Sequence, residues 1–269
     1  MKSIKNEHRY LARMEAPLRE KVIVARYIPK KTKLILDVGC ANGAITRELA
    51  RMFPSANIVG IDLNQHFIEK AKKQAMRDNV RNVTFERIYL RDLLARRERY
   101  DVVTFVSVLH EFFSYGEGIS SVLKAVADAH ELLVPHGRII IRDMIAPSYF
   151  KEMKAVDVLR KKIESQKDLK RYVASFQKRY GVADNLLAIN HFLLKSLYVD
   201  NWEHEMDEDY LGVTLEEYQQ IFSLLGMETV HSKTYLIPFL RDAWKQRFGL
   251  AEKELDELVS TALLVAEKK

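Results

Sequence analysis

The segment Leu34-Ile35-Leu36-Asp37-Val38-Gly39-Cys40-Ala41-Asn42-Gly43-Ala44 constrains this chain more than any other. Its first five residues, apolar except for Asp37, make a short buried strand, and two glycines then bracket small residues before helical spacing resumes at Ala44. A strand that turns this tightly into a helix needs glycine where φ is positive or where a ligand must come close to the backbone. The consequence reaches beyond the turn. Strands that feed helices in this way pair in parallel, and a parallel sheet needs cover on both faces.

The rest of the chain supplies that pattern. A helix is expected over about Ala44 to Met52, a strand over Asn57 to Ile61, a helix over about Gln65 to Asp78 and a strand over Val83 to Ile88. Then come a strand Asp101 to Val106, a helix Ile119 to Leu133, the turn Pro135-His136-Gly137 and a strand Arg138 to Met144. After Pro147 the spacing changes to long helical segments, Tyr149 to Tyr180 and Asn185 to Tyr198, with no strand run. Thr214 to Leu224 reads as a helix opened by a capping box of Thr214 and Glu217 and stopped by Gly226. Met227 to Ile237 reads as a strand, Pro238 to Phe248 and Glu252 to Leu258 as helices, and Thr261 to Ala266 as a last strand. No repeat or flexible linker interrupts this order. A single α/β domain over 1–269 is therefore expected, with an N-terminal helical cap at 1–33, helical from about Asn6 to Tyr27, and a helical lid inserted at 147–213 between strands five and six.

Composition narrows the class. With 48% apolar residues, 10 Gly and 6 Pro, the chain is neither disordered nor of low complexity. It has no apolar run long enough to span a membrane, its start is polar, and its one cysteine, Cys40, cannot form an internal disulfide. A cytoplasmic protein with no membrane partner is expected. The net charge of +6 is unevenly spread. Residues 1–33 carry ten Lys and Arg against three Asp and Glu, residues 147–200 carry eleven against six, and residues 201–269 carry seven against fourteen. The two basic segments can attract an anionic substrate or nucleic acid, or simply form solvated helix faces.

The candidate site begins at Asp37, a carboxylate at the strand end that can accept hydrogen bonds from turn amides or a ligand's ammonium. Asp62, about twenty residues past Gly43, ends the next strand where a carboxylate can take both hydroxyls of a ribose. Gly39, Ala41 and Ala44 also fit a dinucleotide turn loosely, but Asp37 would repel a pyrophosphate.

At these residues the chain resembles the class I (Rossmann-like) S-adenosylmethionine-dependent methyltransferase family. Leu34 to Gly43 is similar to its first motif, Val59 to Asp62 to its second, Tyr100 to Val106 to its fourth and Leu132 to Asp143 to its fifth. The resemblance covers Leu34 to Met144 and the elements from Thr214 to Glu267. It implies a seven-stranded, mostly parallel sheet in the order 3-2-1-4-5-7-6, with the seventh strand antiparallel and helices on both faces. It also implies S-adenosyl-L-methionine as cofactor, held by Asp37, Gly39, Cys40, Ala41, Gly43, Asp62, Leu63, Asp92 and Ser107. Two departures stand out. Ala41 replaces a usual glycine, and Asp92 falls about three residues later than the family's adenine-contacting acid, at a place where Tyr89 can border the adenine instead.

Methyl transfer from a sulfonium is an in-line displacement, so a protein contributes mainly alignment and exclusion of water, with a base where the nucleophile is protonated. His110 and Glu111, just past strand four, are the catalytic candidates, although a His here also often caps the following helix. Joining them to His191 or His204 as metal ligands would echo the small-RNA terminal ribose methyltransferases, but that family's fuller ligand motif is missing and no metal is expected. Tyr149, Phe150, Tyr172, Phe176, Tyr180, His191, Phe192, Tyr198 and Trp202 can line the lid, or pack within it. The acidic stretch Asn201 to Tyr210 can orient a cation, though a solvated turn is favoured. Tyr10 and Arg13 can close over the cofactor's carboxylate. The leading expectation is methyl transfer to oxygen or nitrogen of a small molecule under the lid. An RNA methyltransferase and a non-catalytic cofactor-binding partner subunit are the alternatives.

Overall fold

Seven strands form one sheet in the order β3-β2-β1-β4-β5-β7-β6, as the resemblance implied. They are β1 (Leu34–Val38), β2 (Asn57–Asp62), β3 (Val83–Arg87), β4 (Tyr100–Val106), β5 (Leu133–Met144), β6 (Met227–Tyr235) and β7 (Thr261–Lys268). The computed structural model describes residues 18–148 and 156–269. The expectations for Tyr10, Arg13, Tyr149 and Phe150 lie outside those residues. β1 to β5 run parallel, and β7 is antiparallel to both β5 and β6.

The register brings the site-bearing strand ends level. Asp37 pairs with Gly60 on one side and Thr104 on the other, and Val106 pairs with Arg142. Alternation along the buried strands assigns side chains to two cores. Leu36, Val38, Val103 and Phe105 join one face's core with Val122, Val126 and Phe222. Ile35, Val102, Val106 and Ile140 join the other with Val24, Leu49 and Ala50.

The helices are α1 (Leu18–Lys21), α2 (Ala44–Met52), α3 (Gln65–Arg77), α4 (Leu109–Tyr115), α5 (Ile119–Leu132), α6 (Val156–Glu164), α7 (Lys170–Tyr180), α8 (Leu186–Lys195), α9 (Trp202–Glu205), α10 (Leu215–Leu224), α11 (Pro238–Phe248) and α12 (Glu252–Leu255). α10 opens on the expected box: the Glu217 amide donates to Thr214 Oγ1 at 3.3 Å, and the Thr214 amide donates to Glu217 Oε2 at 2.7 Å. Three expectations are corrected. The N-terminal helix does not hold its α form to Tyr27, because Val22–Tyr27 is a 3-10 turn opened by the stiff Val22-Ile23-Val24 run. The long helix expected to end at Tyr180 breaks at the 3-10 turn Lys167–Leu169. The helix after Glu252 stops at Leu255.

The helices between β5 and β6 are not a free flap. Leu159, Phe176, Ile189, Phe192, Leu193 and Trp202 share one apolar core with Leu240, Trp244, Phe248 and Leu255 of the β6–β7 connection. The Trp244 indole N–H donates to the Leu193 carbonyl at 3.2 Å, and Lys162 pairs with Glu254 at 2.7 Å. The insertion is thus fastened to the antiparallel edge of the sheet. Among the described residues no helix is long and apolar enough to cross a membrane.

Candidate active site

The turn after β1 owes its shape to backbone conformations few residues tolerate. Gly39 has φ 72°, Ala41 φ 46° and Gly43 φ 73°. A Cβ on Gly39 would lie 2.2 Å from Val108 Cγ2, and one on Gly43 would lie 2.5 Å from Phe85 Cε1, so both are close-packing glycines as well as left-handed ones. The amides of Gly39 and Cys40 both donate to the Ile61 carbonyl, at 2.8 and 2.9 Å, which ties the turn to the end of β2. Ala41, where the family usually has glycine, takes the left-handed conformation all the same. Its amide donates to Asp62 Oδ2 at 2.9 Å.

Asp62 also accepts from the Asn64 amide at 2.8 Å. Burial raises its pKa. A carboxylate offers about four acceptor positions, so these amides do not exhaust Asp62, which lines a cavity with Gly39, Cys40, Ala41, Asn64 and Ser107. Asp37 stands elsewhere. It lies beneath the turn, outside the cavity wall, where it accepts from the hydroxyls of Thr46 at 2.7 Å and Thr104 at 2.9 Å. Burial lifts its pKa to about 6, against those two hydrogen bonds. Asp37 therefore clamps the turn to α2 and β4. Cys40 lines the cavity, but burial pushes its thiol pKa well up, so the sulfur stays protonated.

Past β4 the chain makes a second strained corner at Ser107, φ 57°, and enters α4. Asp143, near the end of β5, receives that helix start. Its Oδ2 accepts from the amides of Val108 and Leu109 at 2.9 and 2.5 Å, and its Oδ1 lies 2.8 Å from His110 Nδ1. A carboxylate at a helix N-terminus is well placed electrostatically, and here it also orients an imidazole. Burial alone would lower the His110 pKa, but Asp143, Glu208 and Glu111 outweigh it and lift it to about 9. Burial would raise Asp143, yet His110 holds it below its usual value. Both partners thus describe an imidazolium–carboxylate pair at neutral pH. Burial raises Glu111 to about 7, although His110 pulls the other way.

A second cavity adjoins the first and shares Lys21, Ser107, Glu111 and Glu208 with it. His110, Arg142, Glu205 and Tyr210 also line it. The acidic stretch read as a solvated turn is instead its wall: Glu205 and Glu208 are 3% and 5% exposed. Tyr210 donates its hydroxyl to Glu205, and Tyr115 donates to Glu208 at 3.0 Å. The Lys195 ammonium is fully buried and donates to the backbone carbonyls of Glu205 and Glu208, so it pins this segment over the sheet edge. A signal was present in the sequence. Trp202, Met206 and Tyr210 recur every four residues through the acidic run, a spacing that a wholly solvated turn has no reason to keep.

Asp92 and Leu63 are exposed and line neither cavity, and Tyr89 is 63% exposed. Asp92 sits on the 3-10 turn Leu90–Ala95, whose inward residues are Leu90 and Leu93. Gly43 lies behind the cavity wall and shapes it through packing on Phe85. His204 joins the site beside Glu208 at 3.4 Å. His191 does not, because it packs against Phe176 and Tyr180 in the inserted core. Among the described residues no group of three or more His, Cys, Asp or Glu is arranged to hold a metal ion.

Comparison with known proteins agrees with this geometry. A family model described as a methyltransferase domain matches residues 29–212. The chain is 39% identical over 80 residues to a malonyl-acyl-carrier-protein O-methyltransferase of Bacillus anthracis, covering 29% of this chain and 28% of that protein. It spans about a third or less of the length of the curated relatives first matched. Among solved structures, the plantazolicin methyltransferase BamL in complex with SAH matches with a TM-score of 0.57 at 16% identity, over 97% of this chain and 89% of that one. Magnesium protoporphyrin IX methyltransferase from Synechocystis PCC 6803, solved with bound SAM, matches with a TM-score of 0.53 at 13% identity, over 95% and 80%.

Proposed function

The chain belongs to the methyltransferase-domain family, and from that premise we propose that it transfers a methyl group from S-adenosylmethionine to oxygen or nitrogen of a small molecule held beneath the inserted helices. One observation carries the reading. The cavity at the β1, β2 and β4 ends shares a wall with a second cavity roofed by the 202–210 segment, so donor and acceptor have adjoining compartments. The relatives' description as O-methyltransferases favours oxygen.

The residues present suit the cofactor. Asp62 keeps free acceptor positions for a ribose diol, and the turn around Ala41 and Asn42 offers backbone to a ligand without bulky side chains. When bound, S-adenosylmethionine supplies an electrophilic methyl group on a sulfonium. The chain does the rest. Ser107, Glu111 and Glu208 border the passage between the compartments, where an acceptor atom must sit for in-line attack. Glu111, poised near neutral pH, takes the proton of a hydroxyl or ammonium acceptor. His110, kept protonated by Asp143, is a hydrogen-bond donor and a positive charge in the acceptor wall rather than the base. The inserted helices exclude water, and their fastening to α11 supports a standing chamber rather than a swinging lid.

Calorimetry with S-adenosylhomocysteine, followed by transfer of labelled methyl from S-adenosylmethionine into small-molecule, protein and RNA fractions, tests the proposal. Binding together with label in the small-molecule fraction is expected. Label only in RNA would favour the polyanion reading of the basic segments, and absence of cofactor binding would leave a non-catalytic partner.

A further inference from the structure

Two buried cations, Lys21 and Arg142, line the second cavity with no carboxylate at ion-pair distance among the described residues. Arg47 is met by Asp78 at 3.3 Å, the Asn42 carbonyl and Gln74. Lys195 is met by two backbone carbonyls. Arg142 is 3% exposed; its guanidinium donates from Nη1 to Ser107 Oγ at 3.3 Å and stands beside the Tyr235 hydroxyl. Its Nε is buried and without a partner. Lys21 is 9% exposed and faces the same cavity. Among the described residues no carboxylate lies within ion-pair distance of either. Burial, reinforced by the nearby Arg142 charge, lowers the Lys21 pKa to about 8 against the opposing pull of Asp143, Glu111 and Asp37. A buried charge without a close partner is costly. Of the cavity's acids, Glu205 is bound by Tyr210 and Glu208 by Tyr115 and His204, while Glu111 acts on Lys21 without reaching ion-pair distance.

We infer that the methyl acceptor carries a carboxylate, and that this carboxylate seats against Arg142 and Lys21 in the second cavity. The inference rests on the methyltransferase reading, whose acceptor class it names. A planar carboxylate matches the guanidinium fork, which reaches it with the N–H groups Ser107 does not occupy. A dianion such as phosphate suits the place less well, because Glu111, Glu205 and Glu208 line the same wall. The cofactor's own methionine carboxylate is a second source of the same chemistry. Lys21 borders both cavities, but Arg142 borders only the acceptor side, and this favours the acceptor.

The test is fluorine NMR titration of para-fluorobenzoate, with para-fluorobenzamide as its neutral isostere and inorganic phosphate as competitor, into the S-adenosylhomocysteine-saturated protein. The benzoate is expected to bind at least about tenfold more tightly than the amide, as one charge-assisted pair would give. Arg142→Gln should erase that preference, Arg142→Lys should restore part of it, and calorimetric affinity for S-adenosylhomocysteine should hold in both. If Arg142→Gln fails to fold, Arg142→Lys alone should still lower the preference for benzoate with affinity for S-adenosylhomocysteine intact, and an unchanged preference would overturn the inference. Equal binding of benzoate and amide would overturn the inference. So would a preference for phosphate, or a loss of S-adenosylhomocysteine affinity in Arg142→Gln with benzoate binding intact, which would give the cations to the cofactor. Should the wild type bind no S-adenosylhomocysteine, the methyltransferase reading falls, and the same titration on the protein alone still scores the anion site.

Discussion

Replacing Asp143 by Asn keeps the shape of the group that receives the α4 helix start and removes its charge. The wild-type pair should be worth a measurable, pH-dependent amount. His110 is raised from 6.5 to about 9 in the folded protein, a difference equivalent to about 3 kcal/mol. Because the folded value lies above the unfolded one, that stability is fully present below about pH 6.5 and is lost as pH rises through about 9. In Asp143→Asn the largest upward influence on His110 is gone while its burial remains, so its pKa should drop steeply. The Val108 and Leu109 amides still have a carbonyl oxygen to donate to, which limits the loss of the cap. Urea unfolding of both proteins at about pH 6.5 and about pH 10 should then show the variant less stable at both. The deficit should be about 3 kcal/mol larger at the lower pH. Other titrating groups enter both proteins and largely cancel in this comparison. Imidazole NMR titration supplies the direct check. A wild-type His110 that titrates at or below its ordinary value, or a deficit independent of pH, would refute an imidazolium held by Asp143 in the cavity wall.

Asp62→Ala should weaken S-adenosylhomocysteine by about tenfold to a hundredfold in calorimetry, the loss of one or two hydrogen bonds to a charged acceptor; unchanged affinity would remove Asp62 from the cofactor site. Asp92→Asn should leave that affinity within about twofold, since its carboxylate borders neither cavity. Gly39→Ala combines a left-handed backbone with a contact of 2.2 Å on Val108, so thermal unfolding should report a loss of about 3 kcal/mol, and a wild-type melting temperature would contradict the packing described. Methyl transfer to a protonated acceptor should rise with pH through about 7 as Glu111 ionises. In Glu111→Gln that rise should vanish, and its persistence would assign the proton to another group.

What could be read from the chain was local. Glycines at 39 and 43 demand a tight turn, an apolar run of five makes a buried strand, and Thr214 with Glu217 opens a helix; each is decided within a few residues by backbone sterics and periodicity. Element order and sheet order follow, because alternating strands and helices admit few arrangements and the motif resemblance selects one. Asp62 was legible for the same reason, as the last residue of a strand that had to end beside the turn.

The second cavity was decided by contacts between distant segments. Asp37 was visible, but its task was not, since both its partners, Thr46 and Thr104, are set by how α2 and β4 pack. Position after β4 marks His110 and Glu111 as catalytic candidates, yet the charge of His110 depends on Asp143 and Glu208, which only the closed sheet and the folded insertion bring near. The acidic run at 201–210 carries the charge of a surface turn in sequence and becomes a cavity wall because Lys195 and the Trp202 core draw it inward. The sequence by itself determined the strands, the turn and the place of Asp62 at a strand end, where covalent geometry and hydrophobic period act over a few residues. Tertiary structure alone decided which charged groups lose their water and which partners they find, because desolvation and ion pairing depend on neighbours that are tens of residues away along the chain.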